Sequence, residues 1–265
     1  MTRSKSKRPA LSPKRAASAL LLLIAIWIAL STAFSQSPPI HYVTSCSMYP
    51  EYDRGDGLLV IPANPDVPVF DCPECVGVGT KWAVDFMGEQ AAELDDSLSV
   101  YCASTSSLMC QYFFSMPEMF SERFGNVTFY YSKCNSTLGG VTTQTPCVAH
   151  AGPANRTVNI TQARGQPIVV SERLADGQPA MPVVHRAYFA VRDAYGNVNY
   201  FTKGDANPLF DTQTAGYTRL NSAVAANASS VRGVVALKLP FFGEVTRRLL
   251  NIPGCEAGGL ALQQG

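Results

Sequence analysis

A mainly β, exported domain behind a single N-terminal membrane anchor is the architecture the sequence predicts, and three observations predict it. Residues 16–40 carry no charge, and the stretch from 19 to 34 is almost wholly apolar. Beyond it, short β-branched and aromatic runs alternate with Gly, Pro, Asn and Asp punctuation, the pattern of strands joined by turns. Eight cysteines and five Asn-x-Ser/Thr triplets lie downstream of the apolar stretch, which suits an oxidising compartment.

The anchor comes first. Arg3, Lys5, Lys7, Arg8, Lys14 and Arg15 precede it, and the first acidic residue is Glu51. That asymmetry puts residues 1–15 in the cytoplasm as a basic tail, residues 16–36 across the bilayer and the rest outside. A cleavable signal peptide is the alternative, because Ser31-Thr32-Ala33 fits a small-residue processing site. Both readings export the remainder of the chain. Of the 21 basic residues, six lie in the tail, so 15 face 20 acidic residues in the exported part. A mildly acidic surface excludes nucleic acid as a partner.

Residues 37–65 form the first part of the core. A Pro-rich joint leads to a polar loop, then to the turn Asp53-Arg54-Gly55-Asp56-Gly57 and the strand-length run Leu58-Leu59-Val60-Ile61. The Arg54-Gly55-Asp56 triplet is read as a tight turn rather than an adhesion motif. Residues 66–170 differ from both flanks. They hold Cys72, Cys75, Cys102, Cys110, Cys134 and Cys147 and four of the triplets, and a helix-like patch is expected between Lys81 and Leu98. This segment reads as a stapled, glycosylated insertion, an excursion from the core, with acceptors at Asn126, Asn135, Asn155 and Asn159 and a fifth beyond it at Asn227. Its six cysteines are expected to pair among themselves, in one of 15 ways. Zinc is the rival, since Cys72-x-x-Cys75 and Cys147-x-x-His150 have ligand-like spacing. Cys46 and Cys255 remain, too far apart in sequence for a local staple, and a bond between them would tie the C-terminal tail to the first part of the core. Residues 171–265 complete the core, with strands expected at 183–191, 198–202 and 230–239 and a hairpin turn over 193–197.

A hydroxyl nucleophile needs a base within reach and a third group to orient that base. Histidine is scarce, with only His41, His150 and His185. His185 follows Pro182-Val183-Val184 on an expected strand, whereas His41 lies at the membrane joint and His150 in the insertion. Downstream, the loop from Thr202 to Asp211 supplies two carboxylates six residues apart, Asp205 and Asp211, preceded by Lys203, a rival base.

These stretches resemble the archaeal and endoplasmic-reticulum type of signal peptidase I. The resemblance rests on Ser45-Cys46-Ser47-Met48-Tyr49-Pro50 followed by Arg54-Gly55-Asp56, on Val184-His185-Arg186, and on Thr202-Lys203-Gly204-Asp205-Ala206-Asn207 ending in Asp211. The stretch 231–243 looks like the family's closing strand. The match covers 41–62, 181–213 and 230–243, in the family's order, and nothing of the insertion. Cys46 stands where the family commonly has Gly, and Ala206 where Asn is usual. The resemblance implies a signal-peptidase-like β-sheet catalytic core behind one transmembrane helix. It implies a membrane-bound serine endopeptidase that removes signal peptides from exported proteins after small residues. In that reading Ser47 is the nucleophile, His185 the general base and Asp211, with Asp205, the supporting carboxylate. Tyr42, Val43, Thr44, Val183 and Val184 line the substrate, and no cofactor or metal is required. The implied partners are the signal peptides of exported preproteins and membrane lipid, with translocation machinery or other peptidase subunits alongside. A related processing protease with other exported substrates, or an inactive glycoprotein binding module of the same fold, are the alternatives.

Overall fold

The computed structural model describes residues 13–33, 40–75, 81–138, 141–153, 156–171, 182–214 and 226–239, together with positions 243, 245, 247–249, 251 and 253–255. The chain divides into two units, Met1–Pro39 and Ile40–Gly265. The first holds helix α1 (Pro13–Ala33). Straight-chain and small residues favour a helix there, and Leu20, Leu21, Leu22, Ile24, Ile26, Trp27 and Ile28 all expose their side chains. Side chains at positions 13–16, 19, 23, 30 and 33 lie outside the described set. Among the described residues no helix is long and apolar enough to cross a membrane, so the anchor stays an expectation from the sequence.

The second unit runs β1 (Ile40–Tyr42), β2 (Gly57–Ile61), β3 (Val69–Asp71), β4 (Trp82–Phe86), β5 (Glu89–Leu94), α2 (Leu98–Ser104) and α3 (Leu108–Ser115). It continues with β6 (Phe120–Phe124), β7 (Val127–Leu138), β8 (Val141–Pro153), β9 (Val158–Asn159), β10 (Gln166–Val170), β11 (Val183–Arg192), β12 (Val198–Lys203), β13 (Ala226–Asn227) and β14 (Val231–Leu239). The fold is mainly β. The larger sheet has the order β1-β2-β14-β10-β11-β12-β13, with β3 running parallel to the far end of β11, and the smaller has the order β5-β4-β6-β7-β8-β9.

Two expectations are corrected here. The segment 81–98 is a β-hairpin, not a helix: Trp82–Phe86 pairs with Glu89–Leu94 across a two-residue turn in which Met87 and Gly88 both have positive φ, 54° and 86°. A turn of that hand matches the twist of the flanking strands. It escapes notice because Met is a rare occupant of such a position. The insertion is also shorter than 66–170. Its two ends belong to the larger sheet, β3 against Ala190–Arg192 and β10 between β14 and β11. Of the two partners of β10, β11 is the next strand along the chain and β14 lies far beyond it, so the expected boundary at 170 falls between two strands that pair.

The insertion is no excursion. Phe129 of β7 packs with Phe201 of β12 and with Phe210, and Phe189 of β11 stacks on Phe201 at 4.6 Å between ring centroids. One apolar core therefore joins the inserted sheet to β11 and β12. Ser97 and Ser107 cap α2 and α3 by accepting from Val100 N–H and Cys110 N–H, the usual use of serine at a helix start.

All eight cysteines form disulfides. Cys72–Cys75, Cys102–Cys110 and Cys134–Cys147 lie within the inserted region, and Cys46–Cys255 ties the first loop of the unit to the C-terminal segment. With Cys72, Cys75 and Cys147 consumed as disulfides, the alternative Cys3His zinc set has no thiolates to offer. Of the glycosylation acceptors, Asn135 is exposed, while Asn126, Asn159 and Asn227 are half-buried. Asn155 lies outside the described residues.

Candidate active site

Ser47 sits in the loop between β1 and β2. Val43 N–H donates to Asp56 O at 2.9 Å and Gly55 N–H to Val43 O at 2.7 Å, closing the loop at its base. Gly55 adopts φ +91° there, a conformation glycine tolerates at little cost. Asp56, buried, accepts from Asp53 N–H at 2.7 Å and pairs with Lys238 of β14 at 2.7 Å. The Arg54-Gly55-Asp56 triplet is thus a turn that locks the loop to the sheet. Met48 is 1% exposed, in a cluster with Val43, Tyr52, Leu58, Val60, Val169 and Val184. The motif divides its work: Met48 plugs the core and the adjacent Ser47 stays half-exposed.

His185 is on β11, opposite Ile168 of β10. Its Nε2 lies 2.9 Å from Ser47 Oγ and its Nδ1 2.6 Å from Asp211 Oδ2. A carboxylate only accepts, so Nδ1 carries the proton and Nε2 is free to accept from the Ser47 hydroxyl. His185 and Asp211 are both buried. Asp211 opens a single 3-10 turn, Asp211–Gln213, after the loop that follows β12. Thr202 Oγ1 donates to the same Asp211 oxygen at 2.6 Å. Ser45 Oγ lies 3.0 Å from Ser47 Oγ. With the Ser47 proton committed to His185, Ser45 is the donor in that pair.

Sequence reasoning missed Thr202 and Ser45 as members of this cluster. Each lies within or beside a quoted motif, but a hydroxyl two residues before a candidate nucleophile, or at the end of a strand, has no distinguishing local signal.

Asp205 is not a member. Arg186 holds it by a two-pronged contact, Nε to Oδ1 and Nη2 to Oδ2, both 2.8 Å, and reaches Glu51 and Gly165 O as well. The Asp205 hydrogen bond is the main reason the Arg186 guanidinium holds its proton even more firmly than usual, against the opposing effect of burial. The six-residue spacing of the two carboxylates could not show which one faces the imidazole. Arg186, the neighbour of His185 in the strand, takes the first and leaves the second. Nor does Lys203 contact Ser47. Its Nζ donates to Gly204 O at 3.0 Å and Asn207 O at 2.8 Å, and burial pulls its pKa below the ordinary lysine value.

The expected substrate-lining residues separate into two kinds. Tyr42, Thr44 and Val183 are exposed, whereas Val43 and Val184 point into the apolar cluster beneath the loop. Alternation along the chain produces that split, and the backbone of Val43 is itself spent within the loop, its N–H on Asp56 O and its carbonyl on Gly55 N–H.

The chemical capacity of the arrangement is that of a hydroxyl whose proton has a ready acceptor, backed by a buried carboxylate. Among the described residues no cluster of His, Cys, Asp and Glu is arranged to hold a metal ion. No family model, curated protein or solved structure matches the chain.

Proposed function

We propose that the chain is a membrane-bound serine endopeptidase that removes signal peptides from exported proteins after small residues, with Ser47 as nucleophile, His185 as general base and Asp211 as its orienting carboxylate. The observation that carries the reading is the unbroken chain of hydrogen bonds from Ser47 Oγ through His185 to Asp211. Ser47 attacks the scissile carbonyl as its proton passes to His185 Nε2. The imidazolium, held through Nδ1–H by Asp211, then protonates the leaving amine, and water repeats the sequence to release the acyl group. Ser45 holds a side-chain hydroxyl 3.0 Å from Ser47 Oγ, near enough to reach the carbonyl oxygen of a peptide seated against Ser47, where the oxyanion develops. The resemblance of the three motif stretches to the signal peptidases supports the choice of substrate, and the four disulfides agree with an extracytoplasmic catalytic domain. In this reading residues 16–36 anchor the chain with its N-terminus in the cytoplasm.

The test uses the full-length chain in lipid or detergent. It should cleave a preprotein at its signal-peptide junction and bind a phosphonofluoridate covalently, and Ser47→Ala should do neither. Labelling at Ser47 without preprotein cleavage would move the reading to a processing protease with other exported substrates. Absence of both would leave a binding module.

A further inference from the structure

Glu122 of β6 is fully buried in the inserted sheet, and its partners are all neutral donors. Its carboxyl receives Tyr131 Oη–H at 2.6 Å, Leu98 N–H at 2.6 Å and Gln213 Nε2–H at 2.6 Å. A buried acid with no cation beside it among the described residues is an expensive way to fill space. What it gains is connection, since its three donors come from the start of α2, from β7 and from the turn that carries Asp211.

Gln213, 1% exposed, is the receiving end. Its Nε2 also donates to Tyr131 Oη at 3.0 Å, and its Oε1 accepts Phe210 N–H at 2.9 Å. Its backbone N–H donates to Phe210 O at 2.9 Å, and its own carbonyl accepts Ser97 Oγ–H at 2.6 Å. The residue two positions beyond Asp211 is therefore clamped through side chain and backbone alike, and most of the clamp is built from inserted residues. Among the described residues Asp211 itself has short-range ties within the turn, such as Thr214 N–H to Asp211 O at 3.1 Å, besides its bonds to His185 and Thr202.

We infer that Glu122 is a positioning residue for Asp211: acting through Gln213, it makes the inserted sheet the support that sets the His185–Asp211 pair. The inference rests on the catalytic reading of Ser47, His185 and Asp211. It assigns the insertion a task in that site, where the resemblance of the flanking motifs covers none of it.

The experiment compares Glu122→Gln, Gln213→Met and the double variant in the full-length chain. A strong imidazole-to-carboxylate hydrogen bond gives a low-field proton resonance, which His185→Ala assigns by removing it. In both single variants that resonance should broaden or vanish. The turnover of a signal-peptide substrate should fall about tenfold or more with KM little changed, as expected when a catalytic group is displaced by a fraction of an ångström. The double variant should be no worse than the worse single one, because both act through one link. An unaltered resonance in both variants overturns the inference, as does additive loss of turnover. Failure of both variants to fold also counts against it, since the network would then specify the fold rather than the site. The resonance needs no turnover, so a chain that cleaves nothing leaves this measurement decisive while the proposed activity alone falls.

Discussion

Gly204 lies directly against Ser47: a Cβ at this position would stand 2.5 Å from Ser47 O and 2.9 Å from Ser47 Cβ. The next turn of the same loop holds that carbonyl, with Ala206 N–H donating to Ser47 O at 2.8 Å. The loop after β12 thus seats Ser47 from below while it delivers Asp211 to His185. Gly204→Ala should push Ser47 away from His185 Nε2 and slow phosphonofluoridate labelling by about ten- to a hundredfold. The fold, whose core lies elsewhere, should keep its melting temperature within a few degrees. Labelling at the unaltered rate would show that the contact is relieved without moving Ser47.

Under the proposed mechanism Ser47→Ala and His185→Ala should each abolish cleavage, by at least about 10⁴-fold, and the double variant should be scarcely worse than either single one, because the proposed nucleophile and base act as a unit. Lys203→Met should retain activity within about tenfold. Its ammonium is spent on the carbonyls of Gly204 and Asn207, a structural duty in the loop that seats Ser47. Steady-state kinetics on a signal-peptide substrate decide the matter. A dead Lys203→Met beside an active His185→Ala would transfer the role of base to the lysine.

The larger sheet was readable where strands announce themselves locally, as in Val183–Arg192, Val198–Lys203 and Val231–Leu239. It was unreadable where membership depends in part on a distant partner, as in Gln166–Val170 against Val231–Leu239. The hairpin over 82–94 was hidden by Met87 in a conformation that glycine or asparagine normally signals. At the site, Ser47, His185 and Asp211 lie in three motif stretches whose order along the chain suggested them. Asp205 was drawn away by Arg186, an arrangement that exists only after the strand and the loop have come together. Glu122 carried no signal at all, because an acidic residue in a Ser-Glu-Arg run reads as surface. Its burial follows from strand alternation in β6 between Phe120 and Phe124, a pattern five residues long.

Cys46 adjoins Ser47 and is bonded to Cys255, 209 positions further along the sequence. The loop is further tied to the C-terminal segment by Asp53, which accepts Cys255 N–H at 2.8 Å and pairs with Arg247. In the chain-entropy view a bridge closing so long a loop contributes up to about 5 kcal/mol, far more than the short bridges of the insertion. Non-reducing peptide mapping should therefore find four bridges with the pairings given above. Cys255→Ser with Cys46→Ser should lower the melting temperature markedly more than loss of Cys72–Cys75, and should also slow Ser47 labelling. Equal effects of the two removals would show that the C-terminal segment does not brace the loop.

Burial pushes the Glu122 carboxyl above its ordinary value of 4.5, and the donors from Tyr131, Leu98 and Gln213 pull it back only in part. At pH values between the two, the folded chain keeps a proton on Glu122 that the unfolded chain has released. Because the folded state then binds more protons than the unfolded state, stability must fall as pH rises across this window. The contribution of Glu122 is complete below the unfolded value and is lost as pH climbs through the raised folded value. Glu122→Gln has no proton to lose at this position. Its own cost, a side-chain amide facing the Leu98 or Gln213 donor, is the same at every pH. Urea unfolding of both proteins in a pH series beginning near 4.5 should therefore show the unaltered chain losing midpoint concentration relative to Glu122→Gln as pH increases, until the difference levels off above the folded value. Asp and Glu residues common to both proteins cancel in that difference, which isolates the single buried group. Midpoints that run parallel throughout would mean that the three hydrogen bonds fully offset the burial of the carboxyl. A difference of the opposite sign would mean that they exceed it, and that the ionised form of Glu122 is the one the fold prefers.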